Sequence, residues 1–226
     1  MVIKTAKGDI ACDRDAVYDV FGITKGETVI LYTPSLEKSD FVTLWSKQFQ
    51  VSSKFVRNKM VSSRITGDFP ADKVFIMNVL MLFVNTMVIS SGNRYNLDVL
   101  HHVDLDVDLR SYDWCGFVLH YLKLSKQYWD RNSPYRNPYY GPATFLCLLY
   151  LDRTKCDSLP VIRERPIFKN LVGLMKAREN KEVAMCSFGQ LDLFPIVSEK
   201  EKEDEGFFAN DELKHVSSYS KEVLLL

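Results

Sequence analysis

The sequence predicts a mainly α-helical protein: a single helical domain over residues 1–190 with a small N-terminal β-hairpin, followed by an irregular, charged C-terminal arm over 191–226. Three features carry that expectation. Apolar residues recur at three-to-four spacing in several long segments, strand patterns are short and lie near the N-terminus, and Glu199–Glu205 is a dense charge run suited to a solvated tail. A chain of 226 residues, 46% hydrophobic and 26% charged, is long enough for one sizeable core and has ordinary globular usage.

Val2–Thr5 and Asp9–Cys12 flank Ala6-Lys7-Gly8, a short turn that makes them a hairpin. Asp13 is placed to cap a helix over Arg14–Phe21, whose Ala16, Val17, Val20 and Phe21 form one apolar stripe and which Gly22 ends. Val29–Tyr32 reads as a further short strand. Helical periodicity follows over Phe41–Phe49 and Val51–Met60, separated by serine-rich breaks.

Val74–Asn93 holds no charged residue, but its strongly apolar part ends at Ile89, giving 16 residues where a bilayer span needs about 20. It therefore reads as a buried central helix, and no stable transmembrane span is expected. Asn78 and Asn85, seven apart, share one face and are placed to bond neighbouring groups. Asn96 is a candidate cap for a short helix through His102, and Leu109–Trp129 shows the spacing of a long buried face. Asn132–Pro142, with three prolines and a glycine, is a loop; Thr144–Leu151 resumes a buried helix, and Pro166 fits the first turn of another.

Lys plus Arg number 29 and Asp plus Glu number 29, so no global field draws the chain to nucleic acid or anionic lipid. The local exception lies between Asp40 and Asp68, where Lys47, Lys54, Arg57, Lys59 and Arg64 stand without an acidic residue. The first ten residues lack the apolar run of a secretory signal, and five widely spaced cysteines without a CxxC pair suit reduced thiols. The expectation is an intracellular protein of cytoplasm or nucleus, with organelle association left open.

Chemistry has little support in these residues. His101 and His102 precede Asp104, Asp106 and Asp108, but a calcium loop from Asp104 needs Gly where Leu109 stands and Glu where Cys115 stands. Cys115 and His120 are five apart, on different faces of a helix, and Cys147 sits in an apolar run that raises a thiol pKa. No glycine-rich phosphate loop is present. The expectation is a protein without catalytic residues, metal or cofactor.

Four blocks carry a resemblance: Leu82-Phe83-Val84-Asn85-Thr86, Asp113-Trp114-Cys115-Gly116-Phe117-Val118-Leu119, Gly141-Pro142-Ala143-Thr144-Phe145-Leu146, and Leu149-Tyr150-Leu151-Asp152. With Val17, Val20, Gly22, Ile23 and Gly26 upstream, the chain resembles a plant-specific, grass-expanded domain of the aminotransferase-like or plant mobile domain type. Such domains occur upstream of ubiquitin-like (SUMO) protease domains in transposon-related genes. The resemblance implies no enzymatic activity for this part, a protease domain absent here, and a start inside the family pattern that favours self-association.

The leading expectation is a non-enzymatic protein–protein interaction module that binds a protein partner or itself. Its candidate surfaces are the basic segment Lys47, Lys54, Arg57, Lys59 and Arg64, the aromatic loop Tyr135, Arg136, Tyr139 and Tyr140, and the arm through Phe207 and Phe208. One alternative is a toxin or antidote of a selfish plant gene pair, acting on a host protein or an organelle membrane. Another is nucleic-acid binding through residues 47–64.

Overall fold

The computed structural model describes residues 1–30, 40–51, 55–66, 72–89, 95–104, 106–133, 135, 138–159 and 163–195, the side chains of 170–172 excepted. The chain is mainly helical with a small N-terminal sheet, as expected. Strands β1 (Val2–Thr5) and β2 (Gly8–Ala11) pair antiparallel, Val2 opposite Ala11 and Thr5 opposite Gly8. Helix α1 (Arg14–Phe21) starts where Asp13 Oδ1 accepts the Ala16 N–H at 2.8 Å. It ends at Gly22, whose φ of 69° is open to glycine at no steric cost and whose N–H returns to the Tyr18 carbonyl.

Helices α2 (Asp40–Lys47) and α3 (Asn58–Thr66) pack on α4 (Lys73–Phe83), which continues without interruption as a π-helical turn over Val84–Val88. The expected helix over Val51–Met60 is thus displaced to Asn58–Thr66. Serines do not break it there: Ser62, Ser63 and Thr66 turn their hydroxyls back onto the Lys59, Met60 and Ser62 carbonyls. Val29 and Ile30 belong to no strand, and residues 31–32 lie outside the described ones.

The uncharged segment is the hub. Met77, Met81, Val84 and Val88 are fully buried, and Phe83 meets Phe21 edge-on at 5.6 Å. Its two asparagines are satisfied inside the fold. Asn78 Oδ1 accepts from Trp45 Nε1 and from Gln48 Nε2, both at 2.9 Å, and its Nδ2 donates to Gln48 Oε1 at 2.8 Å. Asn85 Nδ2 donates to the Met81 and Asn96 carbonyls while its Oδ1 accepts the Asn96 N–H at 2.6 Å, which ties the chain entering α5 (Val99–His102) to the hub. Among the described residues no helix is long and apolar enough to cross a membrane.

A 3-10 turn (Leu109–Ser111), closed by Asp108, leads to α6 (Trp114–Tyr128), which Asp113 caps. Helix α7 (Ala143–Arg153) packs on α1 and on the π-helical turn. After a cis Arg165–Pro166 bond, a short helix α8 (Phe168–Leu171) starts beyond Pro166. A 3-10 turn (Val172–Leu174) then leads into α9 (Met175–Ala184). The packed body continues past residue 190, because Lys155 N–H reaches the Asp192 carbonyl and Phe194 N–H the Arg153 carbonyl.

Helix α9 has no apolar stripe; its inward face is a charge pair. Arg178 and Glu182, one turn apart and each 1% exposed, bond through Nε and Oε1. Arg178 Nη2 also donates to Thr154 Oγ1 at 2.8 Å, and the Tyr150 hydroxyl donates to Glu182 Oε2 at 2.7 Å. Burial and the neighbouring carboxylate push the Tyr150 pKa up to about 12. Glu182→Ala leaves Arg178 charged without its partner and is expected to lower stability by about 3–5 kcal/mol in urea unfolding, whereas the paired replacement Arg178→Met with Glu182→Leu costs far less.

Candidate interaction surfaces

Helix α6 runs out into an aromatic-rich stretch of the chain. Its last turn runs out into Tyr128 and Trp129, both exposed, because the buried stripe stops at Leu122 and Ser125. Tyr135 is 100% exposed and Tyr140 is 48% exposed. Tyr139 differs: it lies half-buried, edge-on to Trp129 at 6.5 Å, and burial raises its pKa to about 12. A Cβ on Gly141 would stand 2.4 Å from the Tyr139 hydroxyl, so only glycine lets that ring lie down and close the loop. Tyr139 thus packs inward against Trp129, while Tyr128, Trp129, Tyr135 and Tyr140 are exposed.

The basic set divides in the same way. Lys47 on α2, Arg57 ahead of α3 and Lys59 on α3 are exposed, next to the exposed apolar Leu44, Val51 and Phe55. Arg64 is half-buried and donates through Nη2 to the Gln48 carbonyl at 2.8 Å, stitching α3 to the turn after α2. That bond ties Arg64 into the fold, unlike the exposed Lys47, Arg57 and Lys59. Lys54, Arg136, Phe207 and Phe208 lie outside the described residues. Basic and aromatic sets stand on different elements, α2–α3 and the end of α6.

The thiol and imidazole candidates do not converge where the helix geometry places them. Cys115 Sγ faces the Ile23 carbonyl at 3.3 Å and burial drives its pKa up to about 12, while His120 packs edge-on to Tyr121. Cys147 corrects the reading from sequence: it lies on the exposed face of α7, with its pKa nonetheless raised by partial burial and by Glu179. Among the described residues no group of three or more His, Cys, Asp or Glu is arranged to hold a metal.

A charge cluster at the end of α7 escaped the sequence reading altogether. Asp152 is fully buried; Arg165 grips it with two nitrogens at 2.9 and 3.2 Å, and Arg163 Nε lies at 3.4 Å. Arg153 bridges Asp152 at 3.5 Å and Asp19 of α1 at 3.1 Å. The only sequence signal for it was basic residues crowding around Pro166, a pattern ordinarily read as solvated surface.

At pH 8 the Cys115 thiolate fraction is about a thousandfold below that of a thiol at the ordinary 9.0. In the folded protein iodoacetamide is therefore expected to modify exposed Cys147 and Cys186 while Cys115 stays unmodified, and in denaturant all five thiols react; mass mapping of the peptides reads the order.

The motif blocks Gly22–Gly26 and Asp113–Gly116 meet in space. Thr28 N–H donates to the Ser111 carbonyl, Asp113 N–H returns to Thr28, Cys115 N–H reaches Thr24, and Arg14 pairs with Asp113 at 3.1 Å. No curated protein and no solved structure matches the chain. A family model described as a domain of unknown function, DUF8566, matches residues 1–147, from the hairpin into the middle of α7 and across both of these blocks. That match spans well over half of the sequence: the chain belongs to the DUF8566 family.

Proposed function

We propose that this protein is a non-enzymatic interaction module of the plant mobile domain type, and that it binds a protein partner or a second copy of itself through the aromatic surface at the end of α6. The observation that carries this reading is the exposure of Tyr128, Trp129, Tyr135 and Tyr140 within thirteen residues. Large amphipathic rings offer broad contact area at low entropic cost and are the side chains on which interfaces concentrate their energy. Four large exposed rings so close in sequence are the kind of apolar area that partners cover. Along the basic segment, exposed Lys47, Arg57 and Lys59 are interspersed with exposed Leu44, Val51 and Phe55, which suits an acidic, partly apolar protein surface better than a phosphate backbone. Five free thiols support a reducing, intracellular setting.

The test is affinity purification of the intact chain from its own cells, with mass by light scattering on the same material. Wild type is expected to bring down a defined partner or to run as an oligomer. Tyr135→Ala with Tyr140→Ala is expected to weaken that association at least tenfold while changing stability by less than about 1 kcal/mol, since both side chains are exposed. A monomer that retains nothing, or a variant that associates as well as wild type, contradicts the proposal. Association that disappears steeply with salt and follows nucleic acid would instead place function on the basic segment.

A further inference from the structure

At the end of α7 three guanidiniums, from Arg153, Arg163 and Arg165, face two carboxylates, from Asp19 and Asp152. The side chains joined by these ion pairs carry 3 − 2, one positive charge in excess. None is more than 20% exposed. Excess charge is costly in such a place, and the C-terminal carbonyls of α7 offset only about half a unit of it.

The second observation lies at Arg163. Its Nε is turned to Asp152 and its guanidinium lies over the Phe194 ring at 4.7 Å, but Nη2 is buried without a hydrogen-bond partner among the described residues. No carboxylate of the cluster is free to serve it. Asp152 Oδ1 already accepts from Arg163 and Arg165 and Oδ2 from Arg165, and Asp19 is shared between Arg153 and Arg165. Glu164, between the two arginines in sequence, is exposed and has interactions of its own. A guanidinium nitrogen without a partner, an aromatic ring against the guanidinium's flat face and a surplus positive charge behind it make a receptor for an oxyanion, which supplies both an acceptor oxygen and the opposite charge.

We propose that this cluster binds a single oxyanion, a carboxylate or phosphate group, received by Arg163 through Nη2 with Arg153 and Arg165 supplying the surrounding field. The site is separate from the aromatic surface and stands whether or not that surface binds a partner.

Thermal unfolding of the full chain at constant ionic strength tests it, with chloride replaced stepwise by acetate or by inorganic phosphate. A saturable rise of the midpoint in acetate, in phosphate or in both is expected, and Arg163→Gln is expected to abolish it. A rise in acetate as well points to a carboxylate ligand, and a rise in phosphate alone to a phosphoryl group. Because Arg163→Gln also perturbs Asp152, calorimetric titration of folded Arg163→Lys, which keeps the charge and loses the fork, provides the second reading: binding is expected to weaken about tenfold or more. Identical midpoints in all three salts, a rise that persists in Arg163→Gln, or unchanged affinity in Arg163→Lys overturns the proposal.

Discussion

The carboxylate of Asp152 is the constraint around which the second half of the molecule is arranged. It is wholly shielded from water, and an ion in that position must be surrounded by donors or the fold pays several kcal/mol. Arginines supply them from three places at once: Arg153 beside it on α7, and Arg163 and Arg165 from the chain that returns after the loop. Arg153 also reaches Asp19, so α7 is locked to α1, and the Ile167 N–H bonded to the Asp19 carbonyl brings the cis-proline turn into the same junction. One residue further, Thr154 accepts Arg178 and thereby fixes α9. Replacing such a network by apolar side chains is often no loss in stability, whereas removing one partner alone is costly, so the members of this network depend on one another.

That arrangement explains how far the body extends. The family match ends at residue 147, yet α7 runs on to Arg153; its last residues carry the ion network, and Thr154 just beyond it carries the bridge to Leu193 and the anchor for α9. Residues 163–195 thus complete the same core that the hairpin and α1 begin, with Leu193 packed against that core.

Much of the fold was legible because one local rule decided each element. Asp13 and Gly22 bracket α1 because capping depends only on nearest neighbours in the chain, and Asn78 and Asn85 pointed to a buried, hydrogen-bonded helix because seven residues return to one face. The boundaries of α3 were missed since serine and threonine hydroxyls bonded within the helix look like breaks in a sequence. Helix α9 and the α7 cluster were missed for a deeper reason. Their buried faces are charged, so hydropathy periodicity reads them as solvated, and the pairing of Asp19 with Arg153 spans 134 residues. For the candidate surface, exposure of Tyr135 and Tyr140 was in keeping with the composition of the loop, whereas only the coordinates separate them from Tyr139 and separate Arg64 from Lys47 and Lys59.

Native-state hydrogen exchange of wild type and Asp152→Asn addresses the buried carboxylate most directly. If it organises the junction, protection in the variant falls together across α1, α7 and residues 163–184, because neutralising Asp152 releases the arginines that join them. A loss of protection confined to the last turn of α7, with α1 and α9 as slow to exchange as before, would show that apolar packing alone holds these elements and would contradict the account.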